Sequence, residues 1–237
     1  MEVQIAVSKV KKYATSNSGD TVEVIERPNG GVSAVMADGQ SSGRGAKWIS
    51  TMAVRKVISL LAEGVRDGAA ARAASDYLFT ERGGRVSATL NILSVDMHTK
   101  TLVITRNNPS PVYLVQGAEI HCFEDPSLPI GLYRDTRPKI TEVSLQPGLA
   151  AIAFTDGLVH AGSRSGKPMD IRRSIENLIK EQGLSAQTIA DSLLSQALTL
   201  DQGRPVDDTS VAVLVVSSRV GDEVRRLTVR LPLEPYR

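Results

Sequence analysis

Two short stretches place a carboxylate where an apolar run stops. "GVSAVMADGQSSGRG" runs into Asp38-Gly39, and "AAIAFTDGLVH" does the same at Asp156-Gly157. Asp-Gly is ordinary turn chemistry, and a third pair, Asp67-Gly68, follows a helical stretch and reads as a connection. Asp207-Asp208 instead lead into an apolar run, "DDTSVAVLVV", and Asp20 opens another in "SNSGDTVEV". Acids that end strands meet acids that open antiparallel neighbours, so Asp20, Asp38, Asp156 and Asp207 are expected on one rim. Clustered carboxylates repel: their pKa values rise, or a cation neutralises them. With no His or Cys close by in sequence, an oxygen-only set suits hard cations such as Mg2+ or Mn2+. The glycine after each acid would let backbone approach a metal or its waters.

Other reactive side chains give weaker signals. His98, His121 and His160 show no metal-ligand spacing and read as strand or surface positions. The single Cys122, in the alternating run "AEIHCF", reads as a buried structural thiol. One cysteine excludes an intrachain disulfide and fits a reducing compartment.

The acids need elements to carry them. Residues 2–10 and 21–28 alternate as strands, and "PNGG" is a hairpin signal before the strand that ends at Asp38. Residues 44–63 carry an apolar stripe at three- and four-residue steps, and 67–83 form a second, alanine-rich helix. Strands follow at 86–97, 101–107, 111–117, 119–124, 139–148 and 149–157. Residues 168–181 and 186–199 read as a second helix pair. The pattern ends on strands at 207–218 and 223–231, with the basic end after residue 218 taken as an edge strand and tail. Short turns argue for antiparallel sheets, and paired helices for a helical layer on each. The expected fold is α+β: a four-layer α-β-β-α sandwich of two mostly antiparallel sheets flanked by helix pairs, in one domain over residues 1–237.

Bulk properties narrow the function. A net charge of +2, without a basic stripe interleaved with aromatics, does not suggest nucleic acid. No stretch approaches the roughly 18 apolar residues that span a bilayer, and the N-terminus lacks a secretory pattern. A cytoplasmic protein that binds neither nucleic acid nor membrane is expected.

"VMADGQSSGRGAKWIS", "AIAFTDGLVHA" and "DDTSVAVLVV", in this order, resemble the motifs of metal-dependent Ser/Thr protein phosphatases (the PPM or type-2C family), and most the bacterial SpoIIE/RsbU/RsbX branch. "SGDTVEV" resembles that branch's opening Gly-Asp strand, and "TRNNPSPVYLVQGAEI" with "LPIGLY" is similar to its central hairpin. The resemblance covers roughly residues 5–217. It implies two divalent cations, Mn2+ or Mg2+, with Asp38 bridging them and the Gly39 carbonyl beside it. Asp156 and Asp207 resemble the other acids of the first metal, and Asp20 an acid on the second metal's side. Asp38 and Asp156 are the implied catalytic pair, and Asp208 is a supporting residue. Gln40 stands where animal and plant members carry a proton-donating His, no Arg precedes Asp20 to clamp phosphate, and Asn107-Asn108 replace the His of the central turn.

The resemblance implies hydrolysis of phospho-Ser/Thr by a metal-bridging hydroxide, without a phosphoenzyme. The layout is that of a catalytic domain alone, similar to RsbX-type feedback phosphatases. The implied substrates are phosphorylated STAS-domain proteins of a bacterial stressosome pathway. The alternative is a catalytically weak or dead phosphoprotein-binding scaffold of the same fold.

Overall fold

The computed structural model describes residues 1–182, 185–218 and 223–232, without the side chains of 181 and 182. Ten strands make two five-stranded antiparallel sheets. The first sheet has the order β1 (Glu2–Val10), β10 (Thr209–Ser217), β9 (Leu149–Phe154), β6 (Val112–Gln116), β7 (Glu119–Phe123). The second has the order β2 (Asp20–Glu26), β3 (Val32–Gly39), β4 (Ala88–Asp96), β5 (Thr101–Asn107), β8 (Lys139–Ser144).

Alternation along the strands sorts side chains to two faces. Met36, Leu93, Ile104, Leu114, Ala151 and Leu214 meet between the sheets in one buried cluster. The opposite face of the second sheet, including Val35, Leu90 and Ile92, is covered by α1 (Gly43–Ala62) and α2 (Asp67–Arg82). The opposite face of the first sheet is covered by α4 (Ile171–Gln182) and α5 (Ala186–Leu200). This is the expected α-β-β-α sandwich. The predicted "PNGG" hairpin is present, with Gly30 in the left-handed region at φ 90° and the Arg27 N–H donating to the Gly31 carbonyl.

Four local expectations change. Residues 155–160 do not simply turn: β9 stops at Phe154, and α3 (Asp156–His160) begins at the acid itself. Five residues are too few for a helical period to show in sequence. The second helix pair starts at Ile171 rather than 168, because the Asp170 carboxylate accepts the Arg173 N–H and caps the first turn. Residues 223–231 form no strand; Val224, Leu227, Val229 and Leu231 are exposed. Both sheets already have their apolar faces covered, so this alternating segment has no further face to pack on. Arg225 ties it to Glu26 through an exposed ion pair of 2.8 Å. The remainder of the basic end, residues 219–222 and 233–237, lies outside the described residues. Cys122 is half-buried rather than buried, because β7 is an edge strand. Among the described residues no helix is long and apolar enough to cross a membrane.

Candidate functional site

Asp20 opens β2 and Asp38 is the penultimate residue of β3; the two are direct cross-strand partners. Directly opposed residues share one face of a sheet, so their side chains project together. From the first sheet, the end of β9 and the start of β10 arrive at the same rim: Val211 pairs with Phe154, and the Thr155 N–H donates to the Ser210 carbonyl. Asp156 is the first residue of α3, just past β9, and Asp207 lies two residues before β10. The rim therefore gathers all four acids from both sheets, although Asp156 sits on a helix and not on a strand end.

Asp20 is fully buried. Its Oδ2 accepts from Ser210 Oγ at 2.6 Å and from Thr155 Oγ1 at 3.0 Å, so a side chain of the second sheet is fixed to the first. Its Oδ1 is buried with no donor. The Asp38 carboxyl lies in the field of Asp20, Asp156 and Asp207. Burial first, then the charges of Asp20 and Asp156, push Asp38 up to about 9. Burial is also the largest cause for Asp20, which is raised to about 6 against the opposing pull of its Ser210 and Thr155 donors. Asp156 is raised by burial and then by Asp207. Half of the Asp156 side chain and a third of that of Asp207 face solvent.

Asp208, expected as a supporting residue, points inward. Its Oδ1 accepts the Lys12 N–H at 2.8 Å and its Oδ2 the Gly19 N–H at 2.7 Å. It thereby joins the start of β10 to the segments that end β1 and precede β2.

The glycines have a packing role in addition to the one expected. A Cβ at Gly39 would lie 2.0 Å from the Ala46 carbonyl oxygen, and one at Gly157 would lie 2.2 Å from the Asp208 carbonyl oxygen. Each glycine admits the backbone of a neighbouring element, α1 in one case and the entry to β10 in the other.

Sequence reasoning missed four contributors to the rim. Thr155 and Ser210 sit inside the quoted motifs, and hydroxyls flanking the acids were their only signal. Lys9 and Lys47 both turn their ammonium groups onto the Asp20 carbonyl oxygen, at 3.0 and 2.8 Å, and Lys47 also reaches Thr21 Oγ1 at 2.9 Å. Burial lowers the pKa of both lysines. Lys12 reaches outward, its Nζ 3.6 Å from Asp207 Oδ1. Gln40 is tied back: its Oε1 accepts the Ser87 N–H at 3.1 Å. Asn108 braces the end of β9 by donating to the Phe154 carbonyl at 3.4 Å. Of the histidines, His98 and His121 are exposed and remote in sequence from the rim acids, whereas His160 reaches Asp156 Oδ2 at 3.8 Å from the next turn of α3.

Among the described residues no group of three or more Asp, Glu, His or Cys side chains is placed so that it could hold a metal ion as it stands. The rim nevertheless fits hard cations. Its donors are oxygens, one buried oxygen of Asp20 lacks any donor, and the carboxylates raise one another's pKa.

A family model described as Stage II sporulation protein E (SpoIIE) matches residues 28–217. Asp38, Asp156 and Asp207 fall inside that stretch, and Asp20 precedes it. Among solved structures, the PP2C phosphatase domain with a fragment of the regulatory domain of the cell fate determinant SpoIIE from Bacillus subtilis is similar, with a TM-score of 0.76 at 21% identity over 91% of this chain. This chain spans 64% of that one. RsbX in complex with magnesium has a TM-score of 0.67 at 16% identity, over 91% of this chain and 96% of that one. The catalytic domain of the serine/threonine protein phosphatase PstP, in complex with two manganese ions, has a TM-score of 0.70 at 17% identity, over 91% of this chain and 99% of that one. No curated protein matches the chain. At these identities the solved structures establish the fold.

Proposed function

This chain belongs to the SpoIIE family of PP2C-type phosphatase domains, and from that premise we propose that it is a metal-dependent protein serine/threonine phosphatase acting as one catalytic domain over residues 1–237. The observation that carries the proposal is Asp38, held at a strand end in the combined field of Asp20, Asp156 and Asp207. Asp38, the Gly39 carbonyl, Asp156, Asp207 and Asp20 would hold divalent cations, Mn2+ or Mg2+, at the rim. Bound divalent cations would supply Lewis acidity toward a phosphoryl group and would lower the pKa of water toward neutrality.

The protein's own groups do the positioning. Thr155 and Ser210 hold Asp20 against the facing sheet, and Lys9 and Lys47 fix its backbone from behind. These contacts set Asp38 and Asp20 before any ligand arrives, which is the preorganisation that electrostatic catalysis requires. Lys12 brings a cation to the same rim and is suited to meet the phosphoryl oxygens of a substrate. The half-exposed Asp156 and Asp207 leave the rim open to a phosphorylated Ser or Thr on another protein.

The substrate we propose is a phosphorylated STAS-domain protein of a stressosome or partner-switching pathway, and the compartment is the cytoplasm. Structural similarity to RsbX supports this choice. The test is phosphate release from a phosphoserine peptide, and then from phosphorylated STAS proteins, with and without Mn2+, comparing wild type with Asp38→Asn. Mn2+-dependent release that is lost in the variant supports the reading. Metal binding without turnover would favour the phosphoprotein-binding scaffold. No metal binding and no turnover would overturn both.

A further inference from the structure

A cavity of about 470 Å³ opens on the helix-bearing face of the second sheet, beside edge strand β8. The first turns of α2, the β4–β5 turn and β8 enclose it. The Arg27 hairpin that borders it joins the ends of β2 and β3 opposite to Asp20 and Asp38.

The charges around this cavity are of two kinds. Arg27 is committed to Asp67 and to the Val65 carbonyl, and Asp96 caps its own turn by accepting the His98 and Thr99 N–H groups. Arg66, Arg72 and Arg137 are different: among the described residues their side chains have no hydrogen bond or ion pair. They face a single further carboxylate, Glu142. Three uncommitted guanidinium groups around one cavity are a recognition surface for carboxylates.

The second feature is the sheet edge. Among the described residues, β8 pairs with β5 on one side and with no strand on the other. Alternate residues among its six therefore present backbone donors and acceptors at the edge beside the cavity. Ile140 stands half exposed there, packed against Gly68 of α2 so closely that a Cβ on that glycine would meet it at 2.4 Å. An edge strand beside a groove is the geometry that adds an extended peptide to a sheet.

We propose that this groove docks an acidic, extended segment of a partner protein, laid along the edge of β8 with its carboxylates toward Arg66, Arg72 and Arg137. An extended chain answers both features at once: its backbone pairs with β8, and alternate side chains reach the guanidinium groups or Ile140. A compact anion would use the arginines and leave the strand edge unpaired. The acid rim would repel the same segment, so docking here is separable from catalysis and does not rest on the phosphatase reading.

The probe is a fluorescein-labelled octapeptide of alternating Glu and Val, titrated by anisotropy against the full chain in EDTA. Binding is expected to weaken at least tenfold in the triple variant Arg66→Gln/Arg72→Gln/Arg137→Gln and to weaken with added salt. The three arginines are solvent-exposed, and retained thermal unfolding and aryl phosphate hydrolysis would show that the variant is folded. Hydrogen exchange should slow at residues 139–144 when peptide is added. Absence of binding, equal binding by the triple variant, or protection that falls elsewhere would each overturn the proposal. Tighter binding of an oligonucleotide of equal charge to the same arginines would overturn the assignment to a protein segment.

Discussion

Asp20 and Asp38 are direct cross-strand partners at the end of the β2–β3 pair, and the charge of Asp20 raises the pKa of Asp38. Asp20 is locked by two hydroxyl donors from the other sheet, so it cannot swing away from its neighbour. The repulsion must be met by a proton on Asp38 or by a cation. This one relationship links fold, stability and chemistry at the rim.

Replacing Asp38 by Asn removes that repulsion. The metal-free variant should melt several degrees above wild type, since one or two kcal/mol corresponds to about 2–8 °C in a chain of this size. Mn2+-dependent aryl phosphate hydrolysis should fall at least a hundredfold in the same variant. Thermal unfolding in EDTA and a steady-state assay check the two halves independently.

The metal-free protein should lose stability as pH rises. Asp38 is raised to about 9 and Asp20 to about 6 in the folded chain, whereas unfolded carboxyls titrate near 4. Over that interval the native state holds more protons than the unfolded state, so unfolding free energy declines with pH. The stabilisation is fully present below about pH 4 and is lost as pH climbs toward 9, with its main contribution from Asp38. Urea midpoints in EDTA at pH 5, 7 and 9 should fall in that order, and Asp38→Asn should flatten the trend.

Ser210→Ala should cost about 1–3 kcal/mol, because a buried carboxylate oxygen loses one of two donors. Thr155→Val should act in the same direction. Either change frees Asp20 to drift, so activity at saturating Mn2+ should fall along with the urea midpoint.

Gly157→Ala should be destabilising by about 1–3 kcal/mol, because the new methyl would meet the Asp208 backbone carbonyl, which cannot turn aside, as well as Thr209 Oγ1. The same shift displaces Asp207, so the apparent affinity for Mn2+ should weaken. Calorimetric metal titration of the variant measures this directly.

Breaking the Arg27–Asp67 pair tests the far end of the second sheet. Both side chains are buried there, and Arg27→Ala strands a buried carboxylate. A loss of about 3 kcal/mol in unfolding free energy is expected, with hydrolysis at the acid rim unchanged below the new melting temperature.

Much of this protein was legible in its sequence. The apolar stripes of α1, α4 and α5, the alternation of strands such as β1 and β2 and the continuous apolar runs of β9 and β10 follow from local pattern, which reports the faces an element must bury. Strand polarity then places Asp20 and Asp38 on one rim. Three things needed the tertiary structure. Periodicity does not say what lies opposite a residue, and the hydroxyls that fix Asp20 are 135 and 190 residues away in the chain. It does not show every reason a glycine is there: Gly39 and Gly157 also admit the close approach of α1 and the β10 entry. Nor does it say whether an alternating segment will find a partner. Residues 223–231 had the pattern of a strand and form none, because strand pairing depends on an accepting edge and an uncovered face, which only the assembled sheets could supply or withhold.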